Sequence, residues 1–159
     1  MAMEIERKFL VRDNTYKLMA KPVLYQQGYV STNVEGVVRV RIAGDKAYLT
    51  VKSFVSHKSR REYEYEIPVT DAREILEAIC QKPIIEKNRY EIKFGNDIWI
   101  VDEFFGDNAG LIVAEIELET EDQQLIVPDW VGAEVTDDPR YLNANLVVHP
   151  FVNWKNNKK

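Results

Sequence analysis

Ionised side chains stand at every second position in stretch after stretch of this sequence. Glu4, Glu6 and Lys8 alternate with Ile5, Arg7 and Phe9. Arg39 and Arg41 alternate with Val38, Val40 and Ile42, and Glu115 and Glu117 with Ala114, Ile116 and Leu118. Successive side chains of a strand point to opposite faces, so such runs read as strands with one charged and one apolar face. Strands are expected over 4–10, 24–32, 37–42, 47–54, 60–69, 84–94, 98–104 and 111–120. Gly44-Asp45 and Gly95-Asn96-Asp97 supply tight hairpin turns, and Pro68 marks the end of the fifth strand. A short helix is expected from the Asp13-Asn14-Thr15 turn to about Met19. A second opens with Thr70 or Asp71 as N-cap, carries an Ile75, Leu76, Ile79 stripe with Cys80 beside it, and stops at Lys82-Pro83. A third runs from Asp138-Pro139 to about Leu146.

Collected from all strands, the charged face holds seven acids and seven bases. The acids are Glu4, Glu6, Glu62, Glu64, Asp102, Glu115 and Glu117; the bases are Lys8, Arg39, Arg41, Lys52, Arg60, Lys87 and Arg89. A half-exposed sheet rarely carries ionised groups so densely, with arginine favoured over lysine. Eight antiparallel strands can close into a barrel and remove both exposed edges. With the charged faces inward, the lumen becomes a polar tunnel, and the helices near 71–80 and 138–146 are the available cover for the apolar outside. The fold class expected is therefore mainly β, within α+β: a closed eight-stranded antiparallel barrel with a few flanking helices, forming one domain over 1–159.

Burying so many charges is costly, and pairing only partly offsets the cost, so a ligand is the natural reason for such an interior. Basic side chains on several walls suit a polyanion with several phosphates, because guanidinium forks match phosphate oxygens. Acidic pairs at i, i+2 suit hard divalent cations. A metal-bound polyphosphate satisfies both. The net charge of −5 argues against a nucleic-acid surface built on charge excess. One cysteine, Cys80, excludes an internal disulfide framework. Charges at positions 4, 6, 7 and 8 leave no apolar leader there, and no apolar run reaches membrane-spanning length, so a cytoplasmic protein is expected. A polar-in, apolar-out pattern also fits an outer-membrane barrel. Arg7, Arg61 and Glu103 on the outward face and an internal helix point away from it. His57 and His149 have no partner at ligand spacing and read as surface residues. Trp99, Trp130 and Trp154 read as packing rather than a base-stacking site.

Glu4-Ile5-Glu6-Arg7-Lys8 resembles the ExExK signature of the CYTH superfamily, the triphosphate tunnel metalloenzymes. The resemblance continues in family order through Gly28-Tyr29, Arg39-Val40-Arg41, Thr50-Val51-Lys52-Ser53, Ser59–Glu64, Glu86–Tyr90, Asp102, Glu115-Ile116-Glu117 and Arg140–Asn143. It implies a tunnel binding a triphosphate with Mg²⁺ or Mn²⁺, and the compact length is most similar to short bacterial members that prefer inorganic tripolyphosphate. By that resemblance Glu4, Glu6, Glu115 and Glu117 ligate metal, while Glu62, Glu64 and Asp102 line the tunnel and hold metal or the bases. Lys8, Arg39, Arg41, Lys52, Arg60, Lys87 and Arg89 bind phosphates, Tyr29 positions Lys8, and Arg140 is the one contact expected from the C-terminal helix. The activity implied is metal-dependent hydrolysis of the terminal phosphate of a linear triphosphate, with Lys8, Tyr29, Glu4 and Glu6 at the catalytic centre. Alternatives in the same tunnel are thiamine-triphosphate hydrolysis and cyclisation of ATP to cAMP and pyrophosphate. Outside enzymes, the alternative is a polyphosphate- or nucleotide-binding module. The partner expected is a small-molecule triphosphate, with no nucleic acid and no membrane, and a homodimer is compatible with this reading.

Overall fold

A computed structural model describes residues 3–33 and 35–154. The main strands are β1 (Met3–Val11), β2 (Val23–Ser31), β3 (Val37–Ala43), β4 (Lys46–Phe54), β5 (Ser59–Ile67), β6 (Ile85–Phe94), β7 (Asp97–Phe104) and β8 (Ile112–Glu117). They pair antiparallel in the order β5-β4-β3-β2-β6-β7-β8-β1, and β1 pairs back onto β5 through Met3↔Arg61, Glu4↔Arg60 and Ile5↔Ser59. That last pairing closes the barrel. A ninth strand, β9 (Val131–Glu134), takes the later part of the β1 edge that β5 leaves free, and Arg7 holds it through a two-point ion pair with Glu134. β9 falls in a stretch whose strand signals are weak; it exists because β1 outruns β5 and leaves backbone groups to be paired.

The β3–β4 and β6–β7 hairpins each turn on two residues, with Gly44 and Gly95 at φ +63. That left-handed backbone carries no steric cost for glycine.

Two different layers cover the apolar outside. α1 (Val69–Ala78) lies on β2, β3 and β4, burying Ala72 and Leu76 against Val40, Ile42, Ala47 and Cys80. It begins before the expected Thr70 or Asp71. Pro68 is the N-cap residue, with φ already near −60, and Asp71 falls in the first turn, where it complements the helix dipole. Its buried stripe runs through Ala72 and Leu76, and Ile79 is exposed. The helix sits close because Gly28 has no side chain: a Cβ there would lie 2.8 Å from Leu76 Cδ2 and 2.9 Å from Cys80 Sγ. On the other side, β6, β7, β8 and β1 are covered by Tyr16, from a 3₁₀ helix at Thr15–Leu18, and by Trp130 and Val131. Trp99 stands edge-on to both Phe9 and Trp130 in this layer.

The C-terminal helix does not cover the outside. The chain passes through a 3₁₀ turn, Pro139–Tyr141, into α2 (Asn143–Val148). Tyr141, Ala144, Leu146, Val147 and Trp154 pack against Tyr29, Ile85, Phe104, Leu111 and Val113. Tyr29, Ile85, Phe104 and Val113 share the lumen face of their strands with Gln27, Lys87, Asp102 and Glu115, so the segment fills one end of the bore. The expected outer cover at 138–146 is thereby corrected: the apolar residues at that end of the lumen need a partner, and α2 supplies it.

One ion-pair group stiffens the wall. Arg89 and Asp102 face each other directly across β6 and β7, with Nε and Nη2 each 2.8 Å from a carboxylate oxygen, and Lys87 Nζ is 2.8 Å from Asp102 Oδ2. Burial pushes the Asp102 carboxyl up, but Arg89 and Lys87 outweigh it and hold it at about 2. Asp102 is 0% exposed.

Two outcomes are expected. Gly28→Val, measured by denaturant unfolding, should lower stability by about 1–3 kcal/mol, because Leu76 and Cys80 must shift. Asp102→Asn should cost about 3–5 kcal/mol, since it strands two buried cations. In the wild type the Asp102 contribution is fully present above the ordinary carboxylate range and is lost as pH falls toward about 2. Unfolding midpoints measured across that window should fall for the wild type and change less for Asp102→Asn.

Candidate active site

A cavity of about 240 Å³ occupies the bore. Thirteen charged side chains line it: Glu4, Glu6 and Lys8 of β1, Arg39 and Arg41 of β3, Lys52 of β4, Arg60, Glu62 and Glu64 of β5, Lys87 and Arg89 of β6, and Glu115 and Glu117 of β8. Tyr29 lines it as well. Of the fourteen acids and bases collected from the charged faces of the strands, all but Asp102 are in this lining. Asp102 lies on the lumen face beneath Arg89 and Lys87 with its oxygens on both, so it holds bases and presents no free oxygen to a metal.

The lysines knit the acidic wall. Lys8 Nζ is 2.7 Å from Glu115 and 3.1 Å from Glu6. Lys52 Nζ is 2.9 Å from Glu4 and 3.4 Å from Glu62. Each ammonium thus bridges carboxylates from two strands. Burial works against the Lys8 ammonium, but Glu115 and Glu6 outweigh it and raise its pKa above the ordinary lysine value. Lys8 therefore stays a cation at neutral pH. Burial raises the Glu6 carboxyl, and Lys8 and Lys52 bring it below its usual value in spite of Glu4. Burial and Glu6 raise Glu115, and Lys8, Arg89 and Lys87 reverse them.

Glu117 is the exception. The register sets it directly opposite Glu6, a like-charge pair across neighbouring strands. Burial, then Glu4, Glu6 and Glu62, raise its pKa, with only Lys52 opposing.

The basic wall is joined to α2 by a buried polar chain. Arg41 Nε donates to Gln27 Oε1 at 3.1 Å, and Gln27 Nε2 donates to Tyr29 Oη at 2.9 Å and Asn143 Oδ1 at 3.1 Å. Lys87 Nζ donates to the same Asn143 oxygen at 2.8 Å. Burial drives the Lys87 pKa well below the ordinary lysine value, Arg89 and Arg41 add to the fall, and Asp102 opposes it. Burial first, then Arg39 and Arg89, also lower Arg41. Arg39 Nη2 donates to Thr50 Oγ1 at 3.1 Å and Glu64 at 3.2 Å, and its buried Nε has no partner among the described residues.

Two expectations change. Arg140, expected to reach substrate, pairs with Asp138 and stacks over Trp154, its Cζ 4.7 Å from the ring, away from the cavity lining. Tyr29 bonds Gln27, while Lys8 is held by Glu6 and Glu115. Three polar residues of the site had no role assigned from sequence. Gln27 and Thr50 follow from the same alternation that places Tyr29 and Lys52 in the lumen. Asn143 has no such signal, since its place depends on a helix entering the bore. None of the three tryptophans lines the cavity.

The residues fit a hard divalent cation. Glu4, Glu6, Glu62 and Glu117 present oxygen donors from three strands, and Glu117 stands directly opposite Glu6. Among the described residues no three acidic, histidine or cysteine side chains are already gathered as a metal centre, and Lys8 and Lys52 lie between the carboxylates of this wall.

The model of the CYTH domain family matches residues 2–147. An inorganic triphosphatase of Acetivibrio thermocellus is 56% identical over 155 residues, covering 98% of this chain and 99% of that protein. An inorganic triphosphatase of Nitrosomonas europaea is 38% identical, covering 91% and 97%. A crystal structure of an inorganic triphosphatase superposes with TM-score 0.65 at 35% identity, covering 93% of this chain and 96% of that one. A putative adenylate cyclase from Bacillus halodurans shares the fold at TM-score 0.62 and 18% identity, covering 77% and 84%. With a family match across nearly its whole length, and a relative 56% identical over 98% of it, this chain belongs to the CYTH family.

Proposed function

We propose that this chain hydrolyses the terminal phosphoanhydride bond of a linear triphosphate, inorganic tripolyphosphate before nucleoside triphosphates, with Mg²⁺ or Mn²⁺ as cofactor. Water adds to the terminal phosphorus, the bridging P–O bond breaks, and orthophosphate and pyrophosphate leave. The observation that carries this reading is the convergence of seven bases and six acids on one enclosed cavity. The two curated relatives, each named an inorganic triphosphatase, support the same substrate class.

Each group has a role set by its surroundings. Arg39, Arg41, Arg60 and Arg89 offer guanidinium N–H groups to phosphate oxygens, and Lys8, Lys52 and Lys87 offer ammonium charge. Lys87, whose charged form burial disfavours, gains most from an arriving phosphate. Glu4, Glu6, Glu62 and Glu117 would hold the cation, with Glu115 retained as the partner of Lys8 and Glu64 as the partner of Arg39. When bound, a divalent cation neutralises charge building on the transferring phosphoryl group and lowers the pKa of a bound water. Asp102 keeps Arg89 and Lys87 aimed into the bore. Among the described residues no helix is long and apolar enough to cross a membrane.

Two outcomes test the reading. Purified protein with Mg²⁺ or Mn²⁺ should release orthophosphate and pyrophosphate from tripolyphosphate, a chelator should stop it, and readdition of metal should restore it. Lys8→Ala, Arg41→Ala and Glu117→Ala should each lower kcat/KM by about 10²-fold or more, with circular dichroism showing a retained barrel. Wild-type turnover in all three, or cyclic nucleotide and pyrophosphate from ATP as the main products, would overturn it. Divalent cation alone should raise the wild-type melting temperature by relieving repulsion around Glu117, and Glu117→Gln should remove most of that rise.

A further inference from the structure

Tyr25 takes no part in the scheme above, yet two of the proposed phosphate-binding arginines rest on it. It lies on the lumen face of β2, between β3 and β6. On β3 its direct partner is Ala43, and Arg41 stands one lumen position along, opposite Gln27. On β6 its direct partner is Lys87, and Arg89 stands one lumen position along, opposite Val23. Both guanidiniums reach diagonally onto the one ring, with the Arg41 Cζ 4.9 Å and the Arg89 Cζ 4.7 Å from its centroid. They arrive from opposite sides of β2.

The rest of each guanidinium is tied differently. Arg89 gives Nε and Nη2 to Asp102, and Arg41 gives Nε to Gln27. That leaves Nη1 of Arg89 and both Nη groups of Arg41 without a protein acceptor among the described residues, on side chains that line the cavity. Two cations held this close repel. An aromatic face attracts each of them, most strongly where water is excluded, and a ring with two torsions gives them a fixed surface. Arg41 depends on it more, because it has no carboxylate partner.

We propose that Tyr25 is a positioning residue: its ring spaces Arg41 from Arg89 and keeps their free N–H groups turned toward the triphosphate, so that it governs substrate binding more than turnover. The substrate rests on the triphosphatase reading; the stacking does not.

The test has two arms. In substrate-free protein, arginine side-chain NMR spectra, assigned with Arg41→Lys and Arg89→Lys, should show ring-current-shifted resonances for both residues. Tyr25→Phe should keep those shifts and Tyr25→Leu should lose them; unchanged shifts in Tyr25→Leu overturn the stacking. In steady-state assays with tripolyphosphate, Tyr25→Leu should raise KM about tenfold with kcat within about twofold, and Tyr25→Phe should match the wild type. An unchanged KM in Tyr25→Leu, a loss confined to kcat, or equal damage in the Phe and Leu variants overturns the positioning role. Tyr25→Met, which keeps bulk without a ring face, replaces Tyr25→Leu if the latter does not fold. Wild-type protein that neither binds nor cleaves tripolyphosphate sinks the triphosphatase reading and the positioning role that depends on it, while the spectra still decide the stacking.

Discussion

Two lysine ammoniums hold the interior of this barrel together. Lys8 and Lys52 each join carboxylates of different strands, and both sit where water is largely excluded. Take either away and the acids of β1, β5 and β8 face one another across a low-dielectric space, where repulsion is strong. The Lys8 ammonium stays protonated because Glu115 and Glu6 outweigh the cost of its burial.

The wall opposite is built on a different plan. Lys87 and Arg89 share one acid, Asp102, and Arg41 has none. Positive charge is left in excess there, while on the acidic side Glu117 stands directly opposite Glu6 with no ion pair among the described residues. The bore is polarised across its width. An anion on one wall and a cation on the other relieve both excesses together, which is the physical reason to expect metal and phosphate as a joint ligand.

Period-two alternation carried most of this in the sequence. Each main strand has enough alternating residues to declare its faces, and the tight Gly44 and Gly95 turns fix which strands are neighbours. Once the strands are in register, Glu6 must oppose Glu117 and Lys8 must oppose Glu115. What local pattern did not contain was the non-local part. β9 depends on an edge left bare by unequal strand lengths. α2 reads as an ordinary amphipathic cover because Ala144, Leu146 and Val147 look alike whether they pack outside a barrel or within its mouth. Arg140, within the family-like Arg140–Asn143 stretch, reads as a substrate contact; its partners, Asp138 and Trp154, are set by how the chain turns into that mouth. Asp102 differs from the lining acids only in depth, and depth is invisible to alternation.

Counting Asp102, seven acids face seven bases inside this wall, so the bore has almost no net charge to spend on drawing a polyanion out of solution. A bare triphosphate would gain few long-range kilocalories on approach. The species that suits a balanced interior is one whose own charge is nearly cancelled before it arrives. Selection here acts at contact range, through how charge is arranged within the ligand, and capture from a distance contributes little.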